Sequence, residues 1–304
     1  MQTWYRESLS DYLTWEQKEH AKDYMVFPDN TGPLLSIDET ALSKGELYTI
    51  VTNKAAKGGK GAIVAMIKGT KAEAITKVLE RIPEKTRAKV EEVTMDMAGN
   101  MSKAVGACFP RAQTVIDRFH VQKLAYDAVQ ELRIKYRWEA IDAENTRMAL
   151  AKMNKQAYEP QLLANGDTEK QLLVRSRFLL FKQEAKWSAS QKERAQILFV
   201  KYPLLKTAYD LAMKLGRIYS VNKDVALTKL ALWYNQVEDS GIEAFGTVSR
   251  SVQLHYEAIL RYFNNKSTNA SAESFNAKIK GFRATSRGVR DIPFFLYRLA
   301  KIYA

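Results

Sequence analysis

Hydrophobic positions along the chain change rhythm twice. Residues 1–25 carry Trp4, Leu9, Tyr12 and Leu13 as apolar anchors among charged neighbours, the pattern of one or two short amphipathic helices. Pro28, Asp29, Asn30, Gly32 and Pro33 then read as a linker. From residue 34 the period falls to that of β-structure. LLSIDET (34–40), ELYTIVT (46–52) and GAIVAMIK (61–68) predict three short strands, with Lys44-Gly45 suited to a tight hairpin between the first two. Residues 70–82 predict a helix, with Thr70 as its cap, Ile75, Val78, Leu79 and Ile82 at helical spacing, and Pro83 close behind. VEEVTMDM (90–97) predicts a fourth strand, 99–108 a short helix ending near Pro110, and AQTVIDR (112–118) a fifth strand.

From His120 to about Asn264 only helical spacing recurs. Leu124, Val129, Leu132 and Tyr136 mark one helix; Leu172, Leu173, Leu179 and Leu180 another; Ser188 or Ser190 can cap a third. Pro203 suits the first position of the next, ahead of Ala208, Leu211, Leu215 and Ile218. Leu227, Leu230, Tyr234 and Val237 mark a further helix, and Phe245, Val248, Val252, Ile259 and Tyr262 a long one.

The order before this block is βββαβαβ. Two crossover helices imply that the first, fourth and fifth strands run parallel, with the second and third antiparallel at one edge. That is the core order of the ribonuclease-H-like fold. The predicted architecture is therefore α/β: a ribonuclease-H-like five-stranded mixed sheet with a large all-helical insertion before the last helix of the core. The expected divisions are 1–32 (helical segment and linker), 33–119 (first part of the core), 120–264 (insertion) and 265–304 (segment completing the core).

Composition narrows the classes. The chain has 304 residues, 46% of them hydrophobic, enough to bury a real core. No stretch approaches the roughly 20 apolar residues that span a bilayer, and Arg6, Glu7 and Asp11 interrupt the N-terminal aromatics, unlike a signal peptide. Cys108 stands alone, which excludes an internal disulfide framework and a cysteine-rich zinc site and makes the cytoplasm the expected location. The net charge of +13 suggests a polyanionic partner. Residues 261–304 hold nine basic residues against Glu273 and Asp291 alone, so the charge is a patch rather than a uniform coat.

Candidate chemistry lies at strand ends and on one helix. Asp38 follows the apolar run of the first strand and Asp96 that of the fourth. A lone Asp there reads as a turn residue. Two at matching ends of adjacent parallel strands repel each other and favour a cation between them. In the segment Thr268–Lys280 and beyond, Phe275, Ile279 and Phe282 mark a core face. Asn269, Glu273, Asn276, Lys280 and Arg283 mark the other, which reads either as a solvated face or as one metal ligand flanked by phosphate contacts. Asp117-Arg118-Phe119-His120 closes the fifth strand, and its His is open to packing, capping or phosphate contact. Lys57-Gly58-Gly59-Lys60-Gly61 lacks the strand–loop–helix context of a phosphate loop and reads as a flexible basic hairpin tip.

Three strings carry a family resemblance: LLSIDE; TMDMAGNMSKAVGACFPRAQTVIDRFHVQKL; and the helix bearing Asn269, Glu273, Asn276 and Ile279-Lys280, with Arg283 and Gly288 beyond. Over roughly residues 33 to 300 the chain resembles transposases of the ISL3 family of bacterial insertion sequences. The resemblance implies an Asp-Asp-Glu triad of Asp38, Asp96 and Glu273 holding two Mg²⁺ ions, with Mn²⁺ as a substitute. It raises His120 and Asp117 to accessory catalytic residues. It implies DNA, both transposon ends and target, as the partner. Expected DNA contacts are Asn269, Asn276, Lys280, Arg283, Arg287, Lys57 and Lys60, and a homo-oligomer on DNA is expected. Such transposases usually begin with a cysteine-containing zinc segment and a helix-turn-helix that read the ends. This sequence shows neither; the expectation is either a separate helix-turn-helix protein that reads the ends or a truncated copy. The rival expectations are a non-catalytic DNA-binding remnant and a structure-selective nuclease on the same core.

Overall fold

The computed structural model of the protein describes residues 4–43, 45–286 and 288–304. The chain divides into two compact units, one of residues 1–118 with 257–304 and one of residues 119–256.

The first unit is built on a mixed sheet of six strands rather than five. They are β1 (Tyr24–Val26), β2 (Leu34–Ser43), β3 (Glu46–Asn53), β4 (Ile63–Lys68), β5 (Glu92–Met95) and β6 (Gln113–Ile116). Their spatial order is β1-β4-β3-β2-β5-β6. β2, β5 and β6 run parallel and β3 and β4 antiparallel, as the crossover logic requires. The strand not foreseen is β1, which pairs antiparallel with β4 at the edge. Its three residues are too few to display a period of two. Gln17 supports it from outside: the side-chain oxygen accepts from Val26 N–H at 2.9 Å and the amide donates to Val26 C=O at 3.1 Å. One side chain thus satisfies part of an exposed strand edge. The anchors expected near the N-terminus divide. Tyr12 is buried, whereas Trp4, Leu9 and Leu13 are more than half exposed, and only short turns form at Tyr5–Leu9 and Asp11–Thr14.

Between β4 and β6 lie α1 (Ala72–Leu79), α2 (Glu84–Arg87) and α3 (Gly99–Cys108). Thr70 does not cap α1; Lys71 holds the cap position and makes no side-chain cap bond. The chain reverses between β2 and β3 through Gly45 at φ 83°, a left-handed conformation that glycine adopts without strain; Lys44 lies outside the described residues.

The second unit is helical, with no named strand among the described residues. It begins in α4 (Arg118–Met153) and continues through α5 (Glu169–Arg175), α6 (Ala189–Lys201), α7 (Pro203–Ile218), α8 (Lys223–Ser240) and α9 (Glu243–Leu254) to the start of α10 (Tyr256–Leu260). Ser188 caps α6 with a full capping box, and Pro203 opens α7. Leu179 and Leu180 do not extend α5 but form a separate short turn. The buried indoles of Trp187 and Trp233 donate to Leu179 C=O and Leu211 C=O at 2.8 and 2.9 Å, so neither buried N–H is left unmet. The long helix expected over 245–262 is broken into α9, α10 and α11 (Tyr262–Asn265). No residue between Val252 and Ile259 is buried, so for more than a turn the helix has no apolar face to hold it straight.

Two closing helices, α12 (Ala270–Thr285) and α13 (Ile292–Tyr303), return to the sheet unit. Phe275 and Ile279 of α12 join Phe295, Leu296 and Leu299 of α13 against Leu42, Tyr48, Ile50 and Met66. The alternate positions Ile37, Val51 and Val64 are buried as well, so both faces of the sheet are covered. No helix among the described residues is long and apolar enough to cross a membrane.

Candidate active site

Strand register aligns three carboxylates. Ser36 lies opposite Thr94 in the β2–β5 pairing, and Met95 opposite Ile116 in the β5–β6 pairing. Extending each register by a residue or two puts Asp38, Asp96 and Asp117 at one level across three adjacent parallel strands. Asp38 is not at the end of its strand, as the sequence pattern suggested. β2 runs on to Ser43 beside β3, but its pairing with β5 ends at Ser36, so Asp38 stands where the parallel part of the sheet opens.

Local bonds fix each aspartate. Asp96 Oδ1 accepts from Ala98 N–H at 2.7 Å, turning the chain into α3. Asp38 Oδ1 accepts from Glu39 N–H at 2.8 Å, and its Oδ2 accepts from the Asn276 amide at 2.7 Å. Asp117 is 2% exposed, and its N–H donates to Met95 C=O at 2.9 Å.

Glu273 comes from the first turn of α12, where a carboxylate also meets the positive end of the helix dipole. A carboxylate oxygen of Glu273 and one of Asp117 lie within 4.8 Å of each other. Asp38, Asp96 and Glu273 do not as a set close to that spacing among the described residues. The accumulated negative charge is felt nearby: burial, and then the charges of Asp96 and Asp38, push the Glu39 carboxyl above its ordinary value. His120 is the third residue of α4, is half-buried, and belongs to the second unit.

The polar face of α12 is less solvated than its pattern suggested. Asn276 is only 8% exposed; besides Asp38 it reaches Glu39 C=O at 3.4 Å. Asn269, at the cap position, is fully buried, and neither polar atom of its side chain has a partner among the described residues. Lys280 is exposed, while Arg283 is half-buried and donates to Ala41 C=O at 3.4 Å. Lys57 and Lys60 are exposed on the loop between β3 and β4. Lys278 ties that loop to α12 by donating to Gly58 C=O at 2.7 Å. Arg287 lies outside the described residues.

One polar cluster beside the site escaped the sequence reading. Lys54 Nζ donates to Glu92 Oε1 at 2.9 Å, to Ser267 Oγ at 2.6 Å and to Thr94 Oγ1, and Ser267 Oγ donates to the same Glu92 oxygen. The side chains of Lys54 and Glu92 are 12% and 7% exposed. Burial alone would raise the Glu92 carboxyl, but the bonds from Ser267 and Lys54 outweigh it and hold it below its ordinary value. The cluster pins the segment leading into α12 onto β5, the strand that carries Asp96. Its signal in the sequence was Glu92 itself, an acid inside a strand otherwise buried on both sides, which needs a buried cation.

A mixed sheet of this order, with carboxylates in register where its parallel strands open and a helix delivering another, defines a ribonuclease-H-like core. The sequence profile of the ISL3-type DDE transposase family matches residues 35–299, and the chain belongs to that family. Among curated proteins it is similar to the transposase for insertion sequence element IS1001 of Bordetella parapertussis, at 25% identity over 268 residues. The matched stretch is 87% of this chain and 59% of that protein, so the chain spans about three fifths of its relative's length.

Proposed function

We propose that the chain is the catalytic region of a DNA transposase that cuts DNA strands and joins a freed 3′-OH to target DNA, using divalent cations held by Asp38, Asp96 and Glu273. The observation that carries this reading is the alignment of Asp38, Asp96 and Asp117 across three parallel strands, with Glu273 brought to Asp117 by α12. The donor set fits the group: carboxylate oxygens are the hard ligands that Mg²⁺ or Mn²⁺ prefers. Two such ions, when bound, stabilise the entering and leaving oxygens of a phosphoryl transfer.

The chain's own residues would do the rest. Asn276 orients Asp38 through the hydrogen bond from its side-chain amide. Asp117, beside Glu273, adds negative charge for a cation to offset. His120 would shuttle a proton or contact the scissile phosphate. Lys280, Arg283, Lys57 and Lys60, with Arg287 beyond them and Asn269 at the helix start, would hold DNA. Assembly on DNA as a homo-oligomer, action in the cytoplasm on the nucleoid, and end recognition shared with a helix-turn-helix protein belong to the same reading.

The test is Mg²⁺-dependent nicking and strand transfer of labelled transposon-end DNA, with the end-binding protein supplied where the element encodes one. Asp96→Asn keeps size and hydrogen bonding but removes charge, so cleavage is expected to vanish while DNA binding persists. His120→Ala is expected to be milder, by about 10²–10⁴-fold at most. Equal nicking by wild type and Asp96→Asn would remove the carboxylate assignment.

A further inference from the structure

Three arginines of the helical unit are gathered where α4 meets the turn after α5. Arg133, on α4, is only 5% exposed. Its guanidinium donates to two neutral acceptors, Gln130 Oε1 at 2.6 Å and Leu173 C=O at 3.0 Å. Arg137 stands one turn further along α4, and Gln130, which accepts from Arg133, donates to Arg177 C=O; burial, then the charges of Arg177 and Arg137, pull the Arg133 pKa below its ordinary value. Among the described residues none of the three makes a salt bridge. Arg137 also buries its Nε without an acceptor among them.

A structural role explains part of this. Arg133 satisfies a carbonyl near the end of α5, and Gln130 donates to Arg177 C=O at 3.3 Å, fastening that turn to α4. It does not explain why three like charges converge, or why the buried Arg137 Nε meets no acceptor among the described residues. Arg133 is buried and Arg137 partly so, while Arg177 is exposed, and a buried cation beside like charges is costly unless an anion joins them.

We propose that Arg133, Arg137 and Arg177 form a phosphate-binding site on the helical unit that takes a backbone phosphate of DNA. Guanidinium groups match phosphate oxygens in a planar, two-bond geometry. The surroundings favour nucleic acid over an acidic peptide. Arg137 lies over the Trp138 ring at 6.0 Å and Arg177 over the Phe178 ring at 5.5 Å, and both rings are more than half exposed. Flat apolar faces beside cations suit the sugars flanking a bound phosphate, and the bases wherever the strands are unpaired. Naming DNA as the source rests on the transposase reading; the anion site itself does not.

The test is binding of a labelled DNA duplex by the full chain over a salt series, in the presence of a chelator so that cleavage plays no part. Arg137→Gln/Arg177→Gln is expected to weaken binding and to flatten the slope of log K against log salt by about 0.9 for each phosphate no longer neutralised. Thermal unfolding should be unchanged or raised, because like-charge repulsion is relieved. Lys214→Gln/Lys229→Gln removes two charges elsewhere on the same unit and should leave the slope near that of wild type. An unchanged slope in the arginine variant, or an equal loss in the lysine control, overturns the site. So does inorganic phosphate or an acidic peptide that stabilises wild type and not the arginine variant while DNA binding stays the same. A chain that cuts no DNA but loses salt slope on arginine replacement would sink the transposase reading and keep this site.

Discussion

Asn276 is buried against the Asp38 carboxylate, one of the proposed metal ligands. Its amide donates to Asp38 at 2.7 Å, so Asn276→Ala frees Asp38 to rotate and leaves it one donor short. Groups that orient a metal ligand typically contribute about 10–100-fold to metal affinity or activity, and a loss of that size is expected in Mn²⁺ titrations and in cleavage rate. Unchanged Mn²⁺ affinity would make Asn276 a packing residue only. Glu92 is a second case. Its carboxyl is held below the ordinary value, so its bonds stabilise the fold fully above the unfolded pKa, and that contribution is lost as the pH falls through the lowered folded value. Glu92→Gln leaves Lys54 buried without its counter-charge, a change typically costing about 3–5 kcal/mol. Urea unfolding at neutral pH and in acid should therefore show a large gap between wild type and variant that narrows in acid. The pattern of α12 revealed Glu273 as the lone acid among amides and cations. It could not reveal that Asn276 and Asn269 face inward, because helical spacing records a side and not what lies opposite it.

Elements were legible in proportion to their length and their apolar contrast. β2, β3 and β4 alternate clearly enough to be placed within a few residues, and the parallel arrangement of β2, β5 and β6 followed from the crossovers. β1 was hidden because its edge is met by the Gln17 side chain, a contact without period. The break after α9 was hidden because Val252 and Ile259 remain in phase although nothing between them is buried. The helix carrying Glu273 is held to the sheet by Phe275 and Ile279, both fully buried. Phe275→Ala opens a cavity there and should cost about 3–5 kcal/mol. Because that residue sits two positions from Glu273, divalent-ion binding should weaken in the fraction that stays folded. Calorimetry paired with Mn²⁺ titration checks both, and a stability loss with intact ion affinity would show that α12 keeps its position without this anchor.

At the scale of the whole molecule, the basic excess of the last 44 residues was readable as a patch, and Lys280 and Arg283 carry it along α12. Lys280→Gln/Arg283→Gln should weaken DNA binding for every sequence tested and reduce its dependence on salt, the signature of phosphate contacts. Loss confined to one sequence would indicate base reading instead. The family was carried by strings spread from β2 to α12, which is why the resemblance and the profile match cover nearly the same span. The arginine cluster of the helical unit was not readable, since Arg133 and Arg137 share α4 but Arg177 lies past α5, and only packing brings that turn to α4.

The discontinuity of the sheet unit sets an order in time. Residues 1–118 are synthesised before the helical unit and hold every named strand among the described residues, with the aspartates already in place along the chain. Glu273 and the helices that cover Leu42, Tyr48 and Ile50 arrive only after the entire helical unit has been made. A prematurely terminated product therefore carries a wet apolar sheet face and an acid cluster missing one member. Such fragments would be prey for chaperones and proteases, and the acid cluster is completed only after the helical unit has been synthesised.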